Sequence, residues 1–554
     1  MEKITENISS FLTSHAQVFP YQQAVIAPTG RDFAGRPSYV HLTYQGLDEL
    51  TSAAAAGFKK IGVSKGTRTV VMVTPGIEFY ALTFALFKLG AIPVMADPGM
   101  GVKNLKKCID EAEPHAFVGT AKAHFFQLGS GAGKKSICIR VHVGRDLFRG
   151  SISYKMLLDT GKEALPFTPS ETKKEDTAAI LFTSGSTGVP KGVVYSHLIF
   201  ISQIEALKKT YCIEKGERDL PTFPLFGLFG PALGMTEIIP DMNPSKPAMV
   251  NPEKIVEAIQ NFGVTNIFGS PALLNRVGRY GAERGITLPS LRRVISAGAP
   301  VSADVLRRFS QMLSPGIEIH TPYGATEALP VSTIASSKIL SDTSVETGSG
   351  AGVCVGTPLS KDSVKIITIK DEVIEKWANS LELSGGSIGE VVVRGDVVTS
   401  GYFKRPGSTQ LAKIYLNGSK DSFYHRMGDV GYIDGKGRLW FCGRKSHRVL
   451  TSKETLFSVQ CEAIFNTHPK VYRTALVGVK RAGETLPVLC VELEKLEIKA
   501  DTKKIREELL LTGSLHTCTK TIQTLLFHPA FPVDVRHNAK IFREKLAVWA
   551  DKKI

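Results

Sequence analysis

Apolar positions fall along this chain in two alternating rhythms. Val70-Val71-Met72-Val73 is a short apolar run, residues 78–89 repeat their apolar side chains at helical spacing, and Ala91-Ile92-Pro93-Val94-Met95-Ala96 is apolar again. That order predicts strand, helix, strand. Ala179-Ile180-Leu181-Phe182 predicts another buried strand, and residues 264–268, 293–296 and 364–369 predict more, with helical patterns between several of them. Alternation of this kind specifies an α/β architecture, with sheets covered by helices. Residues 79–96 are the most apolar stretch, yet Lys88, Gly90 and Pro93 interrupt it. A buried helix followed by a buried strand accounts for that pattern better than a membrane span.

The pattern changes after Ile388. Glu390-Val391-Val392-Val393, Gly401-Tyr402-Phe403 and Arg438-Leu439-Trp440-Phe441 are short β-like pieces punctuated by glycine. They predict a small β-rich subdomain. A charged, turn-like stretch at residues 443–447 then leads into a last section with its own strands and helix, clearest at residues 471–477, 488–493 and 505–511. The main boundary is placed near Ser446, giving a large unit of residues 1–445 and a small one of residues 446–554.

A chain of 554 residues is too long for a single core. Its 43% hydrophobic and 22% charged residues are ordinary globular values, far from those of a disordered chain. The first residues, Met1-Glu2-Lys3-Ile4-Thr5-Glu6, contain no basic segment leading into an apolar run, so no secretory signal is expected and the expected location is the cytoplasm. The eight cysteines are scattered without Cys-x-x-Cys spacing, which suits reduced thiols. The thirteen histidines show no HExxH spacing, and no metal held by protein ligands alone is expected. The formal charge of +16 comes from lysines and arginines spread along the chain, without a long basic run interleaved with aromatics. No nucleic-acid partner is expected on that ground, and the charge otherwise reads as solubility or attraction for phosphates.

The strongest chemical signal is Thr183-Ser184-Gly185-Ser186-Thr187-Gly188-Val189-Pro190-Lys191, directly after a buried strand. Four hydroxyls, two glycines and a lysine in nine residues suit a phosphate cradle. Glycines admit close backbone approach, N–H groups and hydroxyls donate to phosphate oxygens, and Lys191 adds a mobile positive charge. The GxxxxGK[ST] spacing of a Walker A loop is absent. Gly129-Ser130-Gly131-Ala132-Gly133-Lys134 also misses that spacing and reads as a surface turn.

Residues 181–195, LFTSGSTGVPKGVVY, resemble the signature of the ANL superfamily of adenylate-forming enzymes, and further motifs of that superfamily follow in order. The resemblance implies a large N-terminal adenylation domain, made of two α/β subdomains and the β-rich one, with a small mobile α+β C-terminal domain. It implies ATP and Mg²⁺ as cofactors. It assigns Thr183, Ser184, Gly185, Ser186, Thr187, Gly188 and Lys191 to the ATP phosphates, and the backbone of Gly298-Ala299-Pro300 to adenine. In Tyr323-Gly324-Ala325-Thr326-Glu327, Tyr323 would stack on adenine, Thr326 meet the α-phosphate and Glu327 hold the magnesium ion. Asp429 would accept both ribose hydroxyls, with Arg444 beside it. Arg536-His537-Asn538-Ala539-Lys540 resembles the terminal motif with alanine in place of glycine, which makes Lys540 the catalytic lysine, with Lys545 the competing choice.

Three departures narrow the reading. Ser446 stands at the hinge position, which is usually Asp or Lys. The following loop, Val449-Leu450-Thr451-Ser452-Lys453-Glu454-Thr455, lacks the glycine that lets a pantetheine thiol pass. Gly227 replaces a histidine near the substrate tunnel, and is expected to open space beside the substrate carboxylate. The chain is most similar in these respects to the olefin β-lactone synthetases of bacterial long-chain olefin biosynthesis. That resemblance implies a long-chain 2-alkyl-3-hydroxy acid that is adenylated and then closed by its own β-hydroxyl, and work beside other enzymes of the pathway. His197 and His537 are candidates for taking the hydroxyl proton. An acyl-CoA or acyl-carrier ligase using the same adenylate remains the alternative, as does a scaffold without catalysis, against which Lys191, Glu327 and Lys540 argue.

Overall fold

The computed structural model describes residues 6–145, 148, 150–183, 190–494, 501–533 and 541–554. Two large sheets organise most of them. In the seven-stranded sheet, Ala116–Thr120, Arg68–Met72, Ile92–Ala96 and Thr177–Thr183 lie side by side and parallel. Lys191–Ser196 closes that edge antiparallel to Thr177–Thr183, with Thr183 opposite Lys191. The expected strand, helix, strand unit is therefore present as Arg68–Met72, Ile77–Leu89 and Ile92–Ala96.

The helix Ile77–Leu89 is buried along nearly its whole length, and its neighbour Gly90 caps it in the left-handed conformation. Lys88 interrupts the apolar run without reaching solvent. Its ammonium donates to Asp48 Oδ1 at 2.7 Å and to Ser52 Oγ at 2.8 Å, which satisfies a buried charge. Among the described residues, no helix is long and apolar enough to cross a membrane.

The second sheet has fourteen strands. Arg218–Pro221, Asn266–Gly269, Arg293–Ser296 and Ile319–Ala325 form its parallel half. Ile319–Ala325 then turns back as Ala328–Ala335, which pairs with Val353–Pro358. Through Val353–Pro358 the β-rich section, with Leu439–Arg444, Ser419–Ile433, Gly389–Val393 and Val364–Ile367, joins the same hydrogen-bonded sheet. Gly401-Tyr402-Phe403 differs from expectation. It forms one isolated bridge, between Tyr402 and Val193, instead of a strand.

From Val449 onward the chain builds separate layers. Val471–Arg481 and Glu484–Leu493 form an antiparallel pair, extended in parallel by Thr524–Phe527. Alternation along these strands sends Leu476 and Leu489 to one face and Ala475, Val477 and Val488 to the other. The first face packs with Phe465, Ile505 and Leu509, the second with Phe531 and Leu546. Of the stretch 129–134, residues 129 and 130 end the helix Ala121–Ser130 and only residues 131–134 form a turn, in which Ala132 is buried against Leu105 and Ile109.

Candidate active site

Several of the residues singled out in the sequence line one cavity of about 2600 Å³. Lys191, Gly298, Ala299, Pro300, Tyr323, Thr326, Glu327, Asp429 and Arg444 all contribute to its wall. Ser184, Gly185, Ser186, Thr187, Gly188 and Lys540 lie outside the described residues, and Thr183 is described only as the end of its strand. Val533 and Ile541, on either side of the segment with Lys540 and His537, pair in a bridge and both line the cavity. Arg543, close by, forms a bidentate pair with buried Glu462 at 2.7 and 2.6 Å. Lys545 is exposed on the helix Arg543–Asp551, with its ammonium over the Phe542 ring, and is absent from the cavity wall.

Strand register builds one end of the site. Asp429 in Ser419–Ile433 stands directly opposite Arg444 in Leu439–Arg444, and the two side chains approach to 2.9 Å. The Tyr323 hydroxyl donates to Asp429 Oδ2 at 2.7 Å. Asp429 Oδ1 has the ion pair but no aligned hydrogen bond, which leaves a buried acceptor open to a ligand hydroxyl. Burial pushes the Asp429 carboxyl up from its usual range, and the Arg444 guanidinium opposes that shift. Burial and the Asp429 charge together push the Tyr323 phenol well up, so it remains a donor.

Glu327 is held differently. Thr326 and Glu327 form the two-residue turn between Ile319–Ala325 and Ala328–Ala335, whose register pairs Ala325 with Ala328. Gly324 is required there, because a Cβ would sit 2.6 Å from the Ala328 carbonyl oxygen. Tyr195 donates its hydroxyl to the Thr326 carbonyl at 2.5 Å. Tyr402 donates to Glu327 Oε1 at 2.8 Å, and the Lys191 ammonium lies 4.8 Å from the centre of the Tyr402 ring. The Thr399 N–H and hydroxyl both reach the Glu327 carbonyl oxygen, at 2.9 and 3.2 Å. The sequence reading missed Tyr402, Thr399 and Tyr195 as parts of the site. Tyr195 closed the quoted LFTSGSTGVPKGVVY segment, whereas Tyr402 sat in a piece read as a strand.

Gly227 corrects an expectation. A Cβ on it would lie 2.3 Å from the Tyr80 hydroxyl oxygen and 3.2 Å from Glu237 Oε2. The space beside Gly227 is filled by that buried pair, and the cavity wall nearby is Phe223, Pro224 and Leu225. Its glycine serves close packing and opens no room for substrate. His197 is likewise not brought to the site. It is buried against Ile8 and Phe87, and burial lowers it to about 4.

The rest of the wall combines two chemistries. Val71, Phe79, Met95 and Leu181 are apolar and belong to one large core cluster, against which Phe223 and Leu225 pack. Lys122, Lys246, Arg276, Arg279 and Arg308 supply positive charge. Such a cavity suits a ligand with an apolar portion and an anionic one.

A family model described as AMP-binding enzyme matches residues 12–403. The chain belongs to the AMP-binding enzymes. They are the adenylate-forming superfamily to which the ordered motifs point. Over 99% of this chain and 98% of the relative, it is 47% identical to an olefin beta-lactone synthetase of Stenotrophomonas maltophilia. A protein of the same name from Xanthomonas campestris pv. campestris is 45% identical over 98% of this chain and 97% of its own. The fold is similar to that of a solved structure, the o-succinylbenzoate coenzyme A synthetase of Bacillus subtilis in complex with ATP and magnesium ion. The TM-score is 0.73 at 18% identity, with 98% of this chain and 99% of that one covered.

Proposed function

We propose that this protein is an ATP-dependent β-lactone synthetase, which adenylates a long-chain 2-alkyl-3-hydroxy acid and closes it to a 3,4-dialkyl-oxetan-2-one. The observation that carries the reading is the 47% identity, over essentially the whole chain, with a protein named olefin beta-lactone synthetase. The site geometry is consistent with it. Asp429 accepts from the ribose hydroxyls, Arg444 opposes the upward shift that burial gives Asp429, and Tyr323 and the backbone of Gly298-Ala299-Pro300 receive adenine. Thr326, Lys191 and the loop from Thr183 through Gly188 receive the phosphates, and Lys540 bridges the acid and the α-phosphate.

The donor set fits a hard divalent cation. Tyr402 occupies Glu327 Oε1, while Oε2 has no hydrogen bond among the described residues. When bound, Mg²⁺ held by Glu327 and by ATP oxygens neutralises charge on the phosphates. A substrate carboxylate oxygen bonds to the α-phosphorus as pyrophosphate leaves. The β-hydroxyl oxygen then bonds to the acyl carbon, the acyl–phosphate bond breaks, AMP departs and the hydroxyl gives up its proton. Cations already fixed around the phosphates lower both barriers without reorganisation during the reaction.

The loop after Ser446 supports an internal nucleophile over an external thiol. Val449–Leu450 and Thr455–Leu456 pair as a hairpin, and Thr451 closes it on itself by accepting from Lys453 and Glu454 N–H groups at 3.2 and 3.0 Å. We further assign residues 1–445 and 446–554 to two domains, supported by the separate core clusters after Val449. A cytoplasmic location beside other enzymes of the same pathway accords with the bacterial relatives and the basic surface.

Incubating the enzyme with Mg-ATP and a synthetic 2-alkyl-3-hydroxy acid, without coenzyme A, is expected to yield AMP and the ring protons of a β-lactone by proton NMR. Product formation that appears only with added coenzyme A, as a thioester, would overturn the reading in favour of an acyl-CoA ligase.

A further inference from the structure

Lys413 opens the strand Lys413–Leu416 and is 1% exposed. Its ammonium lies 4.4 Å from the centre of the Phe423 ring and donates to the Thr399 carbonyl. Among the described residues it forms no ion pair. An ammonium buried without a carboxylate in contact is expensive to keep. Burial holds it down to about 7, and the charge that acts against this is Glu327. A methionine would fill the same space beneath Phe423 at no such cost, because buried charges are often replaced by apolar isosteres without loss of stability.

What the ammonium touches suggests why it is there. The Thr399 carbonyl accepts from Lys413, while the Thr399 N–H and hydroxyl hold the Glu327 carbonyl at the turn. Lys413, Thr399 and Glu327 thus form one chain of contacts, joined at the Glu327 carboxylate by Tyr402 and, over the Tyr402 ring, by Lys191. His425 stands opposite Lys413 in the strand register, and its Nδ1 is buried without a partner. Burial and the Lys413 charge hold that imidazole neutral, so the positive charge at this spot belongs to Lys413. Lys413 itself is not part of the cavity wall.

We propose that Lys413 is a positioning residue for adenylation, which fixes Glu327 through Thr399 and, in its ammonium form, adds a positive field behind the phosphate end of the site. This rests on the adenylation reading above. A fixed charge that is not cancelled by a partner acts on ligand anions across a low-dielectric wall, and it needs no contact to do so.

The test compares the full-length wild type with Lys413→Met and Lys413→Gln, the latter keeping a donor for Thr399 without the charge. Calorimetric titrations with Mg-ATP and with AMP are read beside ATP–pyrophosphate exchange and thermal melting. Both variants are expected to lose about ten-fold in Mg-ATP affinity and clearly less in AMP affinity, since AMP keeps the α-phosphate but lacks the β- and γ-phosphates and the magnesium ion. Mg-ATP affinity unchanged in either folded variant overturns the proposal. Equal loss of AMP and Mg-ATP affinity also overturns it, because that marks general damage. If Lys413→Met does not fold, Lys413→Gln alone decides. A wild-type enzyme with neither Mg-ATP binding nor exchange is a failure of the adenylation reading itself, and is distinguishable from all of these.

Discussion

Asp429 and Lys413 lie on paired strands of the same sheet, both almost wholly buried, yet their charges are treated in opposite ways. Asp429 has a guanidinium at 2.9 Å and a phenol at 2.7 Å. Lys413 has a peptide carbonyl and an aromatic face. The difference follows from what each end would receive. A ribose is neutral, so a carboxylate that meets it is best balanced by the protein's own cation, leaving hydrogen-bond direction to do the recognition. Phosphates are anions, so an end with surplus positive charge attracts them, and cancelling that charge internally would waste it. The site is therefore neutralised at one end and left positive at the other.

Breaking the balanced end should have the largest effect. Asp429→Ala removes the proposed acceptor for the ribose and leaves the half-buried Arg444 and the Tyr323 hydroxyl without their partner. Truncating one member of such a pair costs about 2 kcal/mol or more, which corresponds to about 30-fold in AMP affinity. Calorimetric titration with AMP measures it. An affinity close to the wild type would mean that Asp429 is a strand-register anchor only.

A smaller effect is expected at the positive end. Tyr402→Phe removes the hydroxyl that donates to Glu327 Oε1 at 2.8 Å. Hydrogen bonds to charged groups contribute about 1.5–3 kcal/mol, so Mg-ATP affinity should fall at least about ten-fold. AMP affinity should be unaffected, because Asp429, Arg444 and Tyr323 are untouched. If Tyr402→Phe weakened AMP as much as Mg-ATP, the two ends would not be separate.

The same division explains how much could be seen in the sequence. The α/β alternation was legible because each strand and helix is written in a local apolar rhythm, as in Arg68–Met72, Ile77–Leu89 and Ile92–Ala96. The balanced end was legible too, since Tyr323, Asp429 and Arg444 stand in motifs with a recognisable order. The support of Glu327 was not. Tyr402 reaches it across 75 positions of sequence, and a tyrosine in a glycine-rich piece carries no local sign of that contact. Lys413 carried no local sign either, because burial without a carboxylate is fixed by the packing of Phe423 and Thr399. Gly227 was misread for a related reason. Its missing side chain could be seen, but Tyr80 and Glu237, which occupy the space, come from other elements.

The smallest effect expected is on stability, and its sign is the sharpest check on the unbalanced charge. The Lys413 ammonium is lowered from 10.5 to about 7 by burial, so the folded state binds fewer protons than the unfolded state between those values. Its contribution to stability is present above pH 10.5 and is lost as pH falls toward about 7, where burying the charge costs most. Lys413→Met removes that cost. The variant should therefore melt a few degrees above the wild type near neutral pH, and the gap should narrow as pH rises toward 10.5. His425, held well below its usual range, stays neutral throughout that window and does not mask the trend. Other alkaline titrations, of tyrosines and thiols, occur in both proteins and cancel in the difference. A gap that stayed constant with pH would mean that the ammonium is stabilised in the fold as fully as in water. Lys413 would then be a satisfied charge, and the contrast between the two ends would disappear.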